Sequence, residues 1–107
     1  MTVAHFQVVL APQAERDLER LLDFLLEKAQ YNDEVGAALA AIAWVEAEML
    51  TRLAKAPWLY RPAIAGGGLR ELVMGGPGGG YVALYDIPSD RQLTILSVRH
   101  QLEDDYL

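Results

Sequence analysis

Residues 69–100 read LRELVMGGPGGGYVALYDIPSDRQLTILSVRH, and this stretch decides the fold. Three runs rich in β-branched, aromatic and aliphatic side chains, Leu69–Met74, Tyr81–Ile87 and Leu93–His100, are divided by two clusters of turn formers. Runs of that length and composition, bounded by Gly, Pro, Ser and Asp, predict strands. The Gly75-Gly76-Pro77-Gly78-Gly79-Gly80 segment predicts the first turn and Pro88-Ser89-Asp90 the second, because Gly and Pro supply the backbone angles that turns demand. Both connections are hairpin-sized, so consecutive strands pair antiparallel.

Upstream of this stretch the apolar period lengthens. Trp58 to Gly68 predicts a loop, and before Pro57 the residues Val35, Ala38, Leu39, Ile42, Val45, Met49 and Leu53 recur at helical spacing. The alanines among them favour helix and permit close packing. An earlier stripe, Ala14, Leu18, Leu21, Leu22, Leu25 and Ala29, predicts another amphipathic helix, opened by Pro12, whose missing N–H costs nothing in a first turn. Tyr31, Asn32 and Asp33 form the break, with Asn32 or Asp33 expected to cap the second helix. So short a break makes the helices antiparallel neighbours. At the amino terminus, Val3 to Leu10 alternates with period two, placing Ala4, Phe6, Val8 and Leu10 on one face of a first strand. The order βααβββ predicts an α+β fold, a curved antiparallel sheet with two antiparallel helices on one face.

Length and composition confine this to one domain spanning residues 1–107, with 52% hydrophobic residues to fill a single core. Cysteine is absent, which removes disulfides, thiolate metal sites and cysteine nucleophiles. His5 and His100 alone do not make a zinc site, so neither metal nor cofactor is expected. A formal charge of −6, with only nine Lys and Arg, opposes the phosphate attraction behind most nucleic-acid binding, and no direct nucleic-acid contact is expected. No apolar run nears the roughly 20 residues that span a bilayer, and no leader pattern opens the chain, so a cytoplasmic location and no membrane contact are expected.

The strand residues Leu69-Arg70-Glu71-Leu72, Gly80-Tyr81-Val82-Ala83-Leu84-Tyr85 and Leu96-Ser97-Val98-Arg99-His100-Gln101 resemble those of the RelE/ParE toxin superfamily. The opening Leu10-Ala11-Pro12-Gln13-Ala14-Glu15-Arg16-Asp17-Leu18 is similar to its strand-to-helix junction, and the ending through Asp105-Tyr106 to its tail. The resemblance covers nearly the whole chain. It implies the toxin of a type II toxin–antitoxin module, held in a hetero-oligomer by a cognate ParD-like antitoxin. RelE-like members cleave messenger RNA on the ribosome, and ParE-like members poison DNA gyrase without a recognised catalytic group. The ribonucleases carry an arginine directly after the tyrosine of the third strand, where this chain has Val82, and further basic residues where it has Gln101 and Leu102. The departures favour the ParE-like branch, with gyrase as target and no catalytic residue. The alternatives are an endoribonuclease with an eroded basic site and a nontoxic member that only binds antitoxin.

Target-binding candidates are Arg70, Arg99, His100 and Tyr106, which strand pairing is expected to gather near one end of the sheet; the bland reading is surface ion pairing and ring packing. Trp58, Tyr60 and Arg61 carry the residue types of binding hot spots and form a second candidate surface, although Trp58 equally suits a cover for the helix end. Trp44 fits either a broad core face or a partner-binding edge. Ser97, His100 and Asp104 are a weak match to a hydrolase triad, since no Gly-x-Ser-x-Gly elbow is present. The glycine run is no phosphate loop, lacking the Lys-Ser/Thr pair that opens a helix. Glu103, Asp104 and Asp105 are expected to solubilise the chain end rather than bind a cation.

Overall fold

The computed structural model describes residues 5–64, 66–76 and 79–101. Strand β1 (Gln7–Leu10) leads into helices α1 (Pro12–Lys28) and α2 (Asn32–Lys55), a 3-10 turn (Pro57–Leu59), and strands β2 (Arg61–Pro62), β3 (Arg70–Gly76), β4 (Gly79–Asp86) and β5 (Gln92–His100). The sheet order is β1-β5-β4-β3-β2. The α+β class, the two helices and the three-strand meander are those expected. The sheet, however, is mixed: β1 runs parallel to β5, with Val8 beside Leu93 and Leu10 beside Ile95. The intervening helical hairpin supplies the long crossover that a parallel pair requires. The segment read as loop also contributes the short edge strand β2, antiparallel to β3.

Core and solvent alternate along the strands as the sequence dictates. Leu72 and Met74 of β3, Tyr81, Ala83 and Tyr85 of β4, and Leu93, Ile95 and Val98 of β5 are buried against Leu18 and Leu21 of α1 and Val45, Met49 and Leu53 of α2. In β5 the parity changes midway: Ile95 pairs with Tyr85 but Ser97 pairs with Leu84, so Leu96 is an extra residue. This bulge keeps Val98 and His100 on the face that Leu93 and Ile95 began.

Two local expectations are corrected. The glycine run is mostly ladder rather than turn, since Gly75 pairs with Gly80 and Gly76 with Gly79, and the connection is confined to residues 77 and 78, outside the described set. Neither Asn32 nor Asp33 caps α2, because the cap position falls on Tyr31 and no side chain caps it. The Glu34 carboxylate instead reaches back to accept the Gln30 N–H. The bond falls one residue ahead of the Tyr31 cap, so it is not that of a capping box, in which the cap residue's own N–H is the donor.

Candidate binding surface

Strand register separates the residues that the sequence suggested would meet. Arg70 stands opposite Tyr85 on β4, whereas Arg99 stands opposite Val82 and His100 opposite Tyr81. Three residues of strand and two strand spacings lie between Arg70 and Arg99, about 10 Å in each direction. His100 is only 2% exposed and sets its ring edge-on to Tyr81, at 4.9 Å between centroids, and beside Phe24 of α1. It therefore supports the sheet from within and offers no outer contact. Ser97 lies on the opposite face, in the row Glu71–Leu84–Ser97, so the two do not form a nucleophile–base pair. Tyr106 and the acidic residues 103–105 lie outside the described residues. Among the described residues no group of carboxylates and imidazoles is placed to hold a metal ion.

The face of the sheet turned away from the helices carries Val73, Val82 and Arg99 as one cross-strand row. Val73 and Arg99 are exposed and Val82 is half-buried. Next to it runs the row Glu71–Leu84–Ser97, extended by Arg61, whose Nε donates to the Glu71 carboxylate at 2.6 Å. A phosphate approaching this face would meet two valines, a leucine, a neutralised arginine and Arg99.

At the β2–β3 end the structure assembles what the sequence placed in two separate lists. Pro57 ends α2 and starts the 3-10 turn, which carries Trp58 and Leu59 outward. The Arg70 guanidinium crosses behind this turn, donating through Nη1 to the carbonyl oxygens of both Trp58 and Tyr60 and standing 5.3 Å from the Trp58 ring. Arg52 of α2 donates from Nε to the Tyr60 hydroxyl at 3.3 Å and sits 5.0 Å from that ring. Beneath them the Tyr85 hydroxyl donates to the Pro57 carbonyl at 2.6 Å. Burial pushes the Tyr85 phenol up to about 12, a rise that Arg70 opposes and Tyr60 adds to. Trp58, Tyr60, Arg61 and Arg70 thus share one site, with Arg52 and Tyr85 as members that sequence spacing did not single out. Trp44, by contrast, is half-buried against the core.

A profile of the ParE toxin of type II toxin–antitoxin systems, parDE, matches residues 8–105. The chain belongs to the ParE toxin family. The fold agrees with solved members of this and the related group. A structure of the chromosomal ParDE toxin–antitoxin system from P. aeruginosa superposes with a TM-score of 0.70 at 16% identity, covering 90% of this chain and 96% of that one. The toxin–antitoxin complex RelBE2 from Mycobacterium tuberculosis gives 0.63 at 20% identity, covering 94% and 95%. No curated protein matches the chain in sequence. As a ParE-family chain it is the toxin of a type II module, and none of its described helices is long and apolar enough to cross a membrane.

Proposed function

We propose that this toxin acts in the cytoplasm by binding and poisoning DNA gyrase, without cutting RNA, and that a ParD-like antitoxin neutralises it in a hetero-oligomer. The observation that carries this reading is the row Val73–Val82–Arg99 on the open face. In-line cleavage of RNA needs several donors aimed at the charge that develops on phosphorus. Here the position following Tyr81 is an uncharged Val82, and Arg99 is the cation beside it.

Under this reading Arg99 is the target contact on the open face, His100 holds the strand that presents it, and Tyr106 is a further target contact. Arg70 acts from the other end of the sheet, where it shapes the Trp58 turn. The test is expression of the chain alone and with the product of the adjacent reading frame. Alone it arrests growth and induces the DNA-damage response, and co-expression relieves both. Unimpaired growth at full expression of folded protein contradicts toxicity and leaves only the antitoxin-binding reading.

A further inference from the structure

One end of this acidic molecule carries the opposite sign. The chain has a formal charge of −6 and only nine Lys and Arg, yet Arg52, Arg61 and Arg70 converge on the short segment from Pro57 to Arg61. The same segment carries Trp58 and Leu59, with 58% and 74% of their surface exposed, and Ile64, three residues past Arg61, is 98% exposed. A lone exposed leucine needs no explanation, but the adjacent exposed pair Trp58 and Leu59, bordered by the Arg52 and Arg70 guanidiniums, forms the kind of patch that marks an interaction site.

The patch is held in place before any partner arrives. Arg70 ties down the carbonyls of Trp58 and Tyr60, Arg52 holds the Tyr60 hydroxyl, and Tyr85 fixes the Pro57 carbonyl. Beyond β2, Gly66, Gly67 and Gly68 take φ values of 74°, 68° and 79°, a left-handed run that turns the chain back into β3 and leaves Ile64 outward. Such preorganisation reduces the ordering cost that an exposed aromatic anchor otherwise carries on binding. The internal contacts engage Nη1 of Arg70 and the Nε atoms of Arg52 and Arg61, while a guanidinium has five N–H donors in all.

We propose that this end docks an acidic peptide segment of a partner protein, with an apolar or aromatic side chain against Trp58 and Leu59 and carboxylates meeting Arg52 and Arg70. Carboxylates match the fork of arginine donors. A single-stranded nucleic acid fits less well, because Trp58 is the one large exposed ring of the patch, too little for successive bases to stack on, and the net negative charge repels a phosphate chain. The inference does not depend on which target the toxin inhibits.

Fluorescence anisotropy with the purified chain tests it. The probes are a labelled peptide of roughly 12 residues with Asp and Glu around a Leu-Phe pair, its Lys-flanked counterpart, and an oligothymidylate of about that length. The acidic peptide binds saturably, more weakly as salt rises from roughly 50 to 300 mM, and shifts the Trp58 indole signal in NMR spectra. Trp58→Ser and Leu59→Ser, both at exposed positions, each weaken it by about tenfold or more with unchanged thermal stability. Equal binding of the basic peptide, tighter binding of the oligothymidylate, no saturation by the acidic peptide, or wild-type affinity in both variants would overturn the proposal.

Discussion

The Asp17 carboxylate accepts the backbone N–H of Val98 at 2.9 Å, joining the second turn of α1 to the far end of β5. Strand β1 ends its pairing at Leu10 beside Ile95, so beyond that point β5 has no strand neighbour on that side among the described residues. Asp17, 4% exposed, takes the place of the missing strand, and Gln13 and Arg20 donate to its other oxygen. Asp17→Ala leaves a buried N–H without an acceptor and is expected to cost about 2–3 kcal/mol in urea unfolding. Asp17→Asn keeps an acceptor oxygen and should lose less. A change below about 0.5 kcal/mol for the alanine variant contradicts this role.

Stability falls in alkali for a stated reason. Tyr85 has its folded pKa raised from 10.0 to about 12, and burial raises Tyr81 in the same direction. A raised phenol is bound to its proton more tightly in the folded state, so its contribution is complete below pH 10 and is lost as pH climbs towards 12. The Tyr85 part is on the order of 2–3 kcal/mol. Tyr85→Phe, compared at pH 8 and pH 11.5 by urea midpoint, should lose roughly 1 kcal/mol at the lower pH and show a smaller alkaline decline than wild type.

Arg99 and His100 are neighbours in sequence with opposite roles in the fold. Arg99→Ala is expected to leave the melting temperature unchanged and weaken target binding by roughly ten- to a hundredfold, the loss of a charge-assisted contact. His100→Ala should instead destabilise the fold by about 2 kcal/mol, because its ring packs between Tyr81 and Phe24. Wild-type toxicity in a well-expressed Arg99→Ala variant moves the target surface to the Trp58 end.

Arg70 is expected to act on local order rather than on global stability. Its removal frees the carbonyls of Trp58 and Tyr60, and hydrogen exchange at Leu59 to Arg61 should speed up by about tenfold in Arg70→Ala while the core strands keep their protection. Uniform loss of protection across the sheet contradicts a local role.

Periodicity exposed the elements but not their partners. The β-favouring run Tyr81–Ile87, set between turn formers, made β4 legible, and the helical stripes made α1 and α2 legible to within a residue or two. The parallel pairing of β1 with β5 leaves no local mark, because it joins segments more than eighty residues apart. The bulge at Leu96 was hidden in the apolar run Leu93, Ile95, Leu96 and Val98, which fits either parity. Register explains the fate of the site. Arg70 and Arg99 both read as strand cations, and only the pairing through β4 reveals that they sit at different ends and that Arg70 joins Trp58 and Tyr60 instead. Asp17 falls by spacing on the stripe of Ala14, Leu18 and Leu21, and only the tertiary contact to Val98 shows why a carboxylate stands there.

An open face with so few cations suits a toxin that binds gyrase and leaves RNA intact. The most direct test of this claim places purified toxin in two parallel assays, gyrase supercoiling of relaxed plasmid and translation of a defined message with mapping of its 5′ ends. The account predicts inhibited supercoiling or trapped cleaved DNA, reversed by the antitoxin, with the message uncut. Codon-specific cleavage of the translated message alongside unimpaired gyrase would contradict it.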